Sequence, residues 1–245
     1  MTSRRVVGAT ALSAVSELPA VADGLVRPAS ASTGQILPVL PELSDLLPHR
    51  GLRRGSTVSV VPGRPARSGG SSLVLALLAE ASRAGAWCAV VGVPTFGAVA
   101  AAELGIALER VALVPYPGPE WATVVAALID GVDVVVAAVP PGVTASVATR
   151  LAARARQRGA VLVPYGDWER ADVTLRVVRS VWEGLGRGRG RLRRRQLTVS
   201  ACGRGAAAQP REARIWLPGD TATVAAAPSR PPARRASLRV VGGAA

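Results

Sequence analysis

The chain has 245 residues, 49% hydrophobic and 19% charged, a balance that suits a folded domain with a sizeable core and excludes an intrinsically disordered chain. Its formal net charge is +14, and all 30 basic side chains are arginine. That excess points to an acidic partner such as nucleic acid, although the lack of lysine also matches the codon bias of a GC-rich genome.

Ser3-Arg4-Arg5 ahead of Val6 to Val15 resembles an export signal, with Ala29-Ser30-Ala31 imitating a cleavage site. Glu17 interrupts the apolar stretch and a soluble-domain pattern follows, so a cytoplasmic chain is expected. No long uncharged apolar run predicts a membrane helix. Residues 1–35 read as an N-terminal extension, with an amphipathic helix over Thr10 to Leu18 and a small-residue linker.

Residues 36–217 read as one core. Strands are predicted at Thr57–Val61, Trp87–Gly92, Val111–Pro115, Val132–Ala138 and Ala160–Pro164. Helices are predicted between them at Gly70–Ala84, Phe96–Leu104, Glu120–Ile129 and Thr144–Arg158. Val-rich runs alternating with Ala/Leu-rich helices imply an α/β fold with a mostly parallel sheet and right-handed crossovers.

After Tyr165 the helices stop. Asp172–Ser180, Arg191–Ala201 and Ala213–Leu217 read as antiparallel strands, the first two joined through a turn over Gly184–Gly190. Residues 218–245, rich in Pro, Ala and Arg, read as a disordered tail. The two cysteines, Cys88 and Cys202, have no metal-type spacing and read as buried thiols in a reducing compartment.

The most telling local feature follows the first core strand. Gly63, then Arg64 to Ser68, then Gly69-Gly70-Ser71-Ser72 lead into the apolar helix Leu73 to Leu78. A phosphate-binding loop reads G-x-x-x-x-G-K-[ST], with lysine on the phosphates and the hydroxyl on magnesium. Here Gly70 stands in the lysine slot, and the interval from Gly63 to Gly69 is one residue too long. The helix start retains dipole and backbone N–H groups, and Arg64 or Arg67 is placed to replace the missing charge. A capped helix behind a tight turn is the plainer reading.

Gly51-Leu52-Arg53-Arg54-Gly55 leading into Val58 to Gly63 resembles the entry to the ATPase core of RecA recombinases. So do Ala79 to Gly85, Glu103-Leu104-Gly105-Ile106 and the strand Val132 to Ala138. Among RecA-like proteins the chain is most similar to the degenerate ImuA type of actinobacterial mutagenesis cassettes. The resemblance implies a three-layer RecA-like P-loop NTPase fold. It also implies a non-catalytic accessory role in damage-induced translesion synthesis, beside a Y-family polymerase homologue and an error-prone polymerase.

RecA itself is a further partner under that reading, and DNA another, through the basic C-terminal segment. Against the family pattern, Ala137-Ala138 stand where the Walker B aspartate is expected, and Gly92-Val93-Pro94 where the water-activating carboxylate is expected. Neither the connection Tyr165–Ala171 nor Pro140–Val143 is long enough for a recombinase DNA loop. No catalytic residue, metal site or cofactor is therefore expected. The alternatives are a weak DNA-dependent ATPase with a remodelled loop, and a SulA-like cell-division inhibitor.

Remaining candidates carry two readings each. Asp133 is a misregistered Walker B acid or, preferred, a strand-start acid near the surface. His49 has no metal or triad partner and reads as structural. Arg187, Arg189, Arg191, Arg193, Arg194 and Arg195 form the strongest interaction candidate, with Arg187 and Arg189 at the hairpin turn and balancing acids absent nearby; a solvated sheet edge is the alternative. Trp168, Trp182 and Trp216 are candidate partner anchors or packing residues of the antiparallel extension.

Overall fold

The structure, a computed structural model, describes residues 34–63, 69–186, 189–217 and 225–226. The expected N-terminal helix, the C-terminal tail apart from Ala225 and Ala226, and Arg64, Arg67 and Arg187 lie outside the described residues, as do the side chains of Arg189, Arg191 and Arg193.

In chain order the elements are β1 (Ile36–Pro38), α1 (Pro41–Ser44), β2 (Gly51–Arg53), β3 (Val58–Val61), α2 (Gly70–Arg83), β4 (Cys88–Val91) and α3 (Ala98–Glu103). There follow β5 (Val111–Val114), α4 (Trp121–Gly131), β6 (Val134–Ala138), α5 (Ala145–Arg158) and β7 (Val161–Tyr165). The C-terminal strands are β8 (Val173–Gly186), β9 (Arg189–Gly203), β10 (Arg211–Trp216) and β11 (Ala225–Ala226).

Among the described residues, nine strands form one sheet in the order β11-β10-β9-β8-β3-β7-β6-β4-β5. Strands β8, β3, β7, β6, β4 and β5 run parallel, whereas β9, β10 and β11 each run antiparallel to the preceding strand. A separate pair, β1 with β2, is antiparallel.

Strand alternation divides the core into two layers. Cys88 and Val90 of β4 with Val134 and Val136 of β6 face the cluster built on α2. Ala89, Val91, Val135 and Ala137 face the other way, onto α4 and α5. Because successive side chains point to opposite faces, a run such as Val134-Val135-Val136 can be wholly buried only with helices on both sides. The result is the expected three-layer α/β architecture with antiparallel C-terminal strands.

Helix α2 illustrates the local logic. It lacks a side-chain N-cap, starting from Gly69 at φ +82°, a left-handed conformation that favours glycine. Its run Leu73 to Ala79 is entirely buried, so packing supplies the stability that capping does not. Helix α5 begins instead on a polar cap, the Thr144 hydroxyl accepting from the Val147 N–H, and ends at Gly159 with φ +66°.

Two expectations need correction. Cys202 is exposed, because on β9 the inward positions are Leu197, Val199 and Ala201, and Cys202 follows on the opposite face. The hairpin turn is also tighter than expected: pairing between β8 and β9 continues to Gly186↔Arg189. Arg189 therefore belongs to the ladder and not to the turn.

Candidate functional site

The glycine turn lies where a P-loop would, at the C-terminal end of β3 with strands on both sides, leading straight into α2. Its chemistry is set by what packs against it. Alternation along β7 places Tyr165 on the α2 face, 5% exposed. A Cβ added at Gly70 would stand 2.7 Å from the Tyr165 hydroxyl, 2.8 Å from its Cε2 and 2.7 Å from Pro62 Cβ. The tyrosine ring thus takes up the space into which a side chain at the lysine slot would grow. Gly69 is closed in as well: a Cβ there would meet Leu197 Cδ2 of β9 at 2.6 Å.

Ser71 and Ser72 sit in the first turn of α2, and the Ser71 hydroxyl is 3.5 Å from that of Tyr165, at the outer limit of a hydrogen bond. Beside them is a cavity of about 20 Å³ lined by Val74, Leu75, Val93, Phe96 and Val136. That is room for about one water molecule. The two positions expected to have lost carboxylates are neighbours here. Strand β4 pairs with β6 through Val91↔Ala137, and a Cβ at Gly92 would lie 3.2 Å from Ala138 Cβ. Among the described residues the arrangement offers hydroxyls and a helix N-terminus, and neither a cation nor a carboxylate lines the cavity.

Asp133 lies at the opposite end of β6, so it is not a displaced Walker B acid. It is also not near the surface as expected, being 0% exposed. Its Oδ1 accepts from Arg54 Nη1 at 2.8 Å and its Oδ2 from the Trp87 N–H at 2.9 Å. One carboxylate thereby ties the loop before β3 to the start of β4. Burial, and secondarily the Asp133 charge, push the nearby Cys88 thiol up to about 12.

At the C-terminal hairpin the expected absence of balancing acids does not hold. Arg194 Nε donates to Glu183 Oε2 at 2.9 Å, because the register sets Glu183 opposite Arg194. Its guanidinium also lies 4.4 Å above the Trp216 ring. Arg195 packs 5.0 Å over Trp182 and donates through Nε to the Ser180 hydroxyl at 2.7 Å. Partial burial holds its guanidinium below the usual arginine range.

Of the three tryptophans, Trp182 is 44% exposed and Trp216 is half-buried. Trp168 packs on the α4–α5 core, its ring 6.5 Å from that of Trp121.

One further group of arginines is assembled only by the strand register. Arg179 stands opposite Thr198, and Thr198 opposite Arg214. Arg176, opposite Ser200, is the neighbouring pair on the same side. Arg176 and Arg179 are exposed, and this face of β8–β9–β10 contributes no residue to either core cluster. Isolated arginines at 176, 179 and 214 give no linear signal, since a bulge between Val177 and Arg179 shifts the alternation that would have grouped them.

Residues 45–170, just over half of the chain, match the MT3502 N-terminal domain family. The chain belongs to that family. The match runs from the end of α1 through β7 and stops before the antiparallel strands. A curated relative, the uncharacterized protein Rv3395c of Mycobacterium tuberculosis, is 42% identical over 121 residues, covering 48% of this chain and 59% of that protein. The chain thus matches less than two thirds of that relative's length. Among solved structures, the flagellar accessory protein FlaH from Methanocaldococcus jannaschii is similar at 13% identity and a TM-score of 0.49, over 74% of this chain and 93% of that one.

Proposed function

We propose that this member of the MT3502 N-terminal domain family is a non-catalytic accessory protein on a RecA-like scaffold, acting in damage-induced mutagenesis by binding other macromolecules. The observation that carries the non-catalytic reading is Tyr165, whose ring fills the lysine slot beside Gly70. Phosphoryl transfer needs phosphate neutralisation, an oriented metal and a positioned water. An apolar cavity the size of one water, lined by Val93, Phe96 and Val136, suits none of these tasks. The place in translesion synthesis, with a Y-family polymerase homologue, an error-prone polymerase and RecA as partners, rests on the ImuA-type resemblance.

Contact with DNA is assigned to the open face carrying Arg176, Arg179, Arg194 and Arg214, and to the arginines that continue along the hairpin. Arginines beside Trp216 on a sheet face offer both phosphate contacts and a stacking surface.

The test is ATP binding by calorimetry at millimolar nucleotide, together with hydrolysis in the presence of single-stranded DNA. The expected result is no turnover and no saturating heat. Hydrolysis stimulated by DNA overturns the proposal and favours the weak ATPase. Co-purification with the polymerase homologue supports the mutagenesis role, and retention on a tubulin-like division protein instead would favour the division inhibitor.

A further inference from the structure

The end of the sheet remote from the glycine turn holds a second concavity, of about 400 Å³, lined by the start of β3, the end of α5 and the connections around β2, β8 and β9. Four arginines line it: Arg53, Arg54, Arg156 and Arg204. We propose that this cavity binds a small molecule through its phosphate group.

Charge is the first argument. Arg54 is committed to buried Asp133, and Arg204 shares Asp172, its Nη2 3.5 Å from Oδ1. Arg53 and Arg156 make no ion pair with any described residue. The contrast within α5 is informative. Arg154 and Arg158, on the same last turns, both pair with Asp130, and Arg156 alone of the three lines the cavity. Four guanidiniums against Asp133 and Asp172 leave the site with two positive charges to spare.

Construction is the second argument. Gly55, at φ +76°, brings the β2–β3 turn so close to α5 that a Cβ there would lie 3.1 Å from the Cα of Arg156. The Gly55 N–H donates to the Ala160 carbonyl at 3.1 Å, and Arg54 Nη1 reaches the Gly159 carbonyl at 3.4 Å. Arg204 is held from its own side, its Nη2 donating to the Arg170 carbonyl and its backbone N–H to the Asp172 carbonyl at 3.1 Å. Two of the four guanidiniums, those of Arg54 and Arg204, are thus already held in place and lose little freedom when an anion arrives.

Size decides the ligand class. A volume of about 400 Å³ lies within the usual range for small-molecule sites, roughly 300–1,000 Å³, and exceeds what a bare phosphate fills. Arginines converging from β2, α5 and β9 suit a tetrahedral dianion better than a planar carboxylate, which one guanidinium fork satisfies.

The test is calorimetric titration of the full chain with inorganic pyrophosphate, on the wild type and on Arg53→Gln, Arg156→Gln and Arg110→Gln, each checked for folding by thermal melting. The wild type is expected to bind saturably at one site. Arg53→Gln and Arg156→Gln are each expected to weaken binding about tenfold. Arg110→Gln, just before β5 at the far edge of the sheet, should leave affinity within about twofold. Absence of saturable binding at millimolar pyrophosphate, or equal weakening by all three substitutions, would overturn the proposal, the latter by reducing the effect to net charge. A 5′-phosphorylated oligonucleotide binding more tightly than pyrophosphate in an Arg156-dependent way would overturn the small-molecule assignment. Arg53 and Arg156 are both exposed and lie on different elements, so Arg53→Gln keeps the test open should Arg156→Gln fail to fold.

Discussion

Replacing Gly70 with alanine tests the closed glycine turn directly. The new methyl carbon would stand 2.7–2.8 Å from the Tyr165 hydroxyl, its Cε2 and Pro62 Cβ, where carbon contacts normally sit at about 3.5–4.0 Å. Something must move by close to an ångström, and Pro62 and Tyr165 are both held by the sheet. Overpacking of this kind costs about 1–3 kcal/mol, offset by up to about 1 kcal/mol from the better helix propensity of alanine. The net expectation is a loss of about 1–2 kcal/mol, read from urea denaturation as a lower midpoint at unchanged slope. In a Tyr165→Ala background the ring is gone and only Pro62 remains close. The same Gly70→Ala change should then cost less by at least about 0.5 kcal/mol, the signature of direct contact. A neutral or stabilising Gly70→Ala, or an identical cost in both backgrounds, would refute the idea that Tyr165 blocks the slot.

Asp133→Asn leaves the Arg54 guanidinium, only 12% exposed, without its charge partner, and should lower stability by about 3–5 kcal/mol in the same assay; a loss under about 1 kcal/mol would remove Asp133 as a tie between β3 and β4. Asp130 behaves differently because it titrates: hydrogen bonding to Arg154 above all holds its carboxyl below the ordinary 3.8. Its contribution is complete above that value and drains away as pH falls below it, so Asp130→Asn should flatten the acid limb of the stability curve, and an unchanged limb would contradict this. With a maleimide probe, Cys202 should react in the native state, whereas Cys88, buried and pushed up to about 12, should react only on unfolding. Two fast-reacting thiols would show that β4 is not sealed.

What the sequence made legible was whatever has a period. The Val-rich strands and α2, α4 and α5 lie within a few residues of their expected places, because buried parallel strands and amphipathic helices declare themselves in one dimension. The segments β1, α1 and β2, with 3, 4 and 3 residues, are too short to show any period, and β2 lines the arginine cavity through Gly51 and Arg53. At the glycine turn, the missing lysine was visible in the chain. The residue occupying its place was not, since Tyr165 is 95 positions further on and only the pairing of β3 with β7 brings it there. Glu183 beside Arg194 escaped for a similar reason: cross-strand partners across a hairpin depend on register, which a bulge can shift.

Strand β8 leans on β3 only from Val58↔Val173 to Val61↔Arg176, and β10 reaches β9 no further than Gln196. Past both limits the ribbon is two strands wide, projecting about 20 Å at roughly 3.3 Å per residue. Ribbons that narrow hold their form poorly without help, and the Arg194–Glu183 ion pair, one step beyond the Arg195–Trp182 stack, is the outermost side-chain brace described along it. The curvature of that outer stretch is consequently set by its backbone ladder alone, whereas the body behind it is fixed by packing on both faces of the sheet.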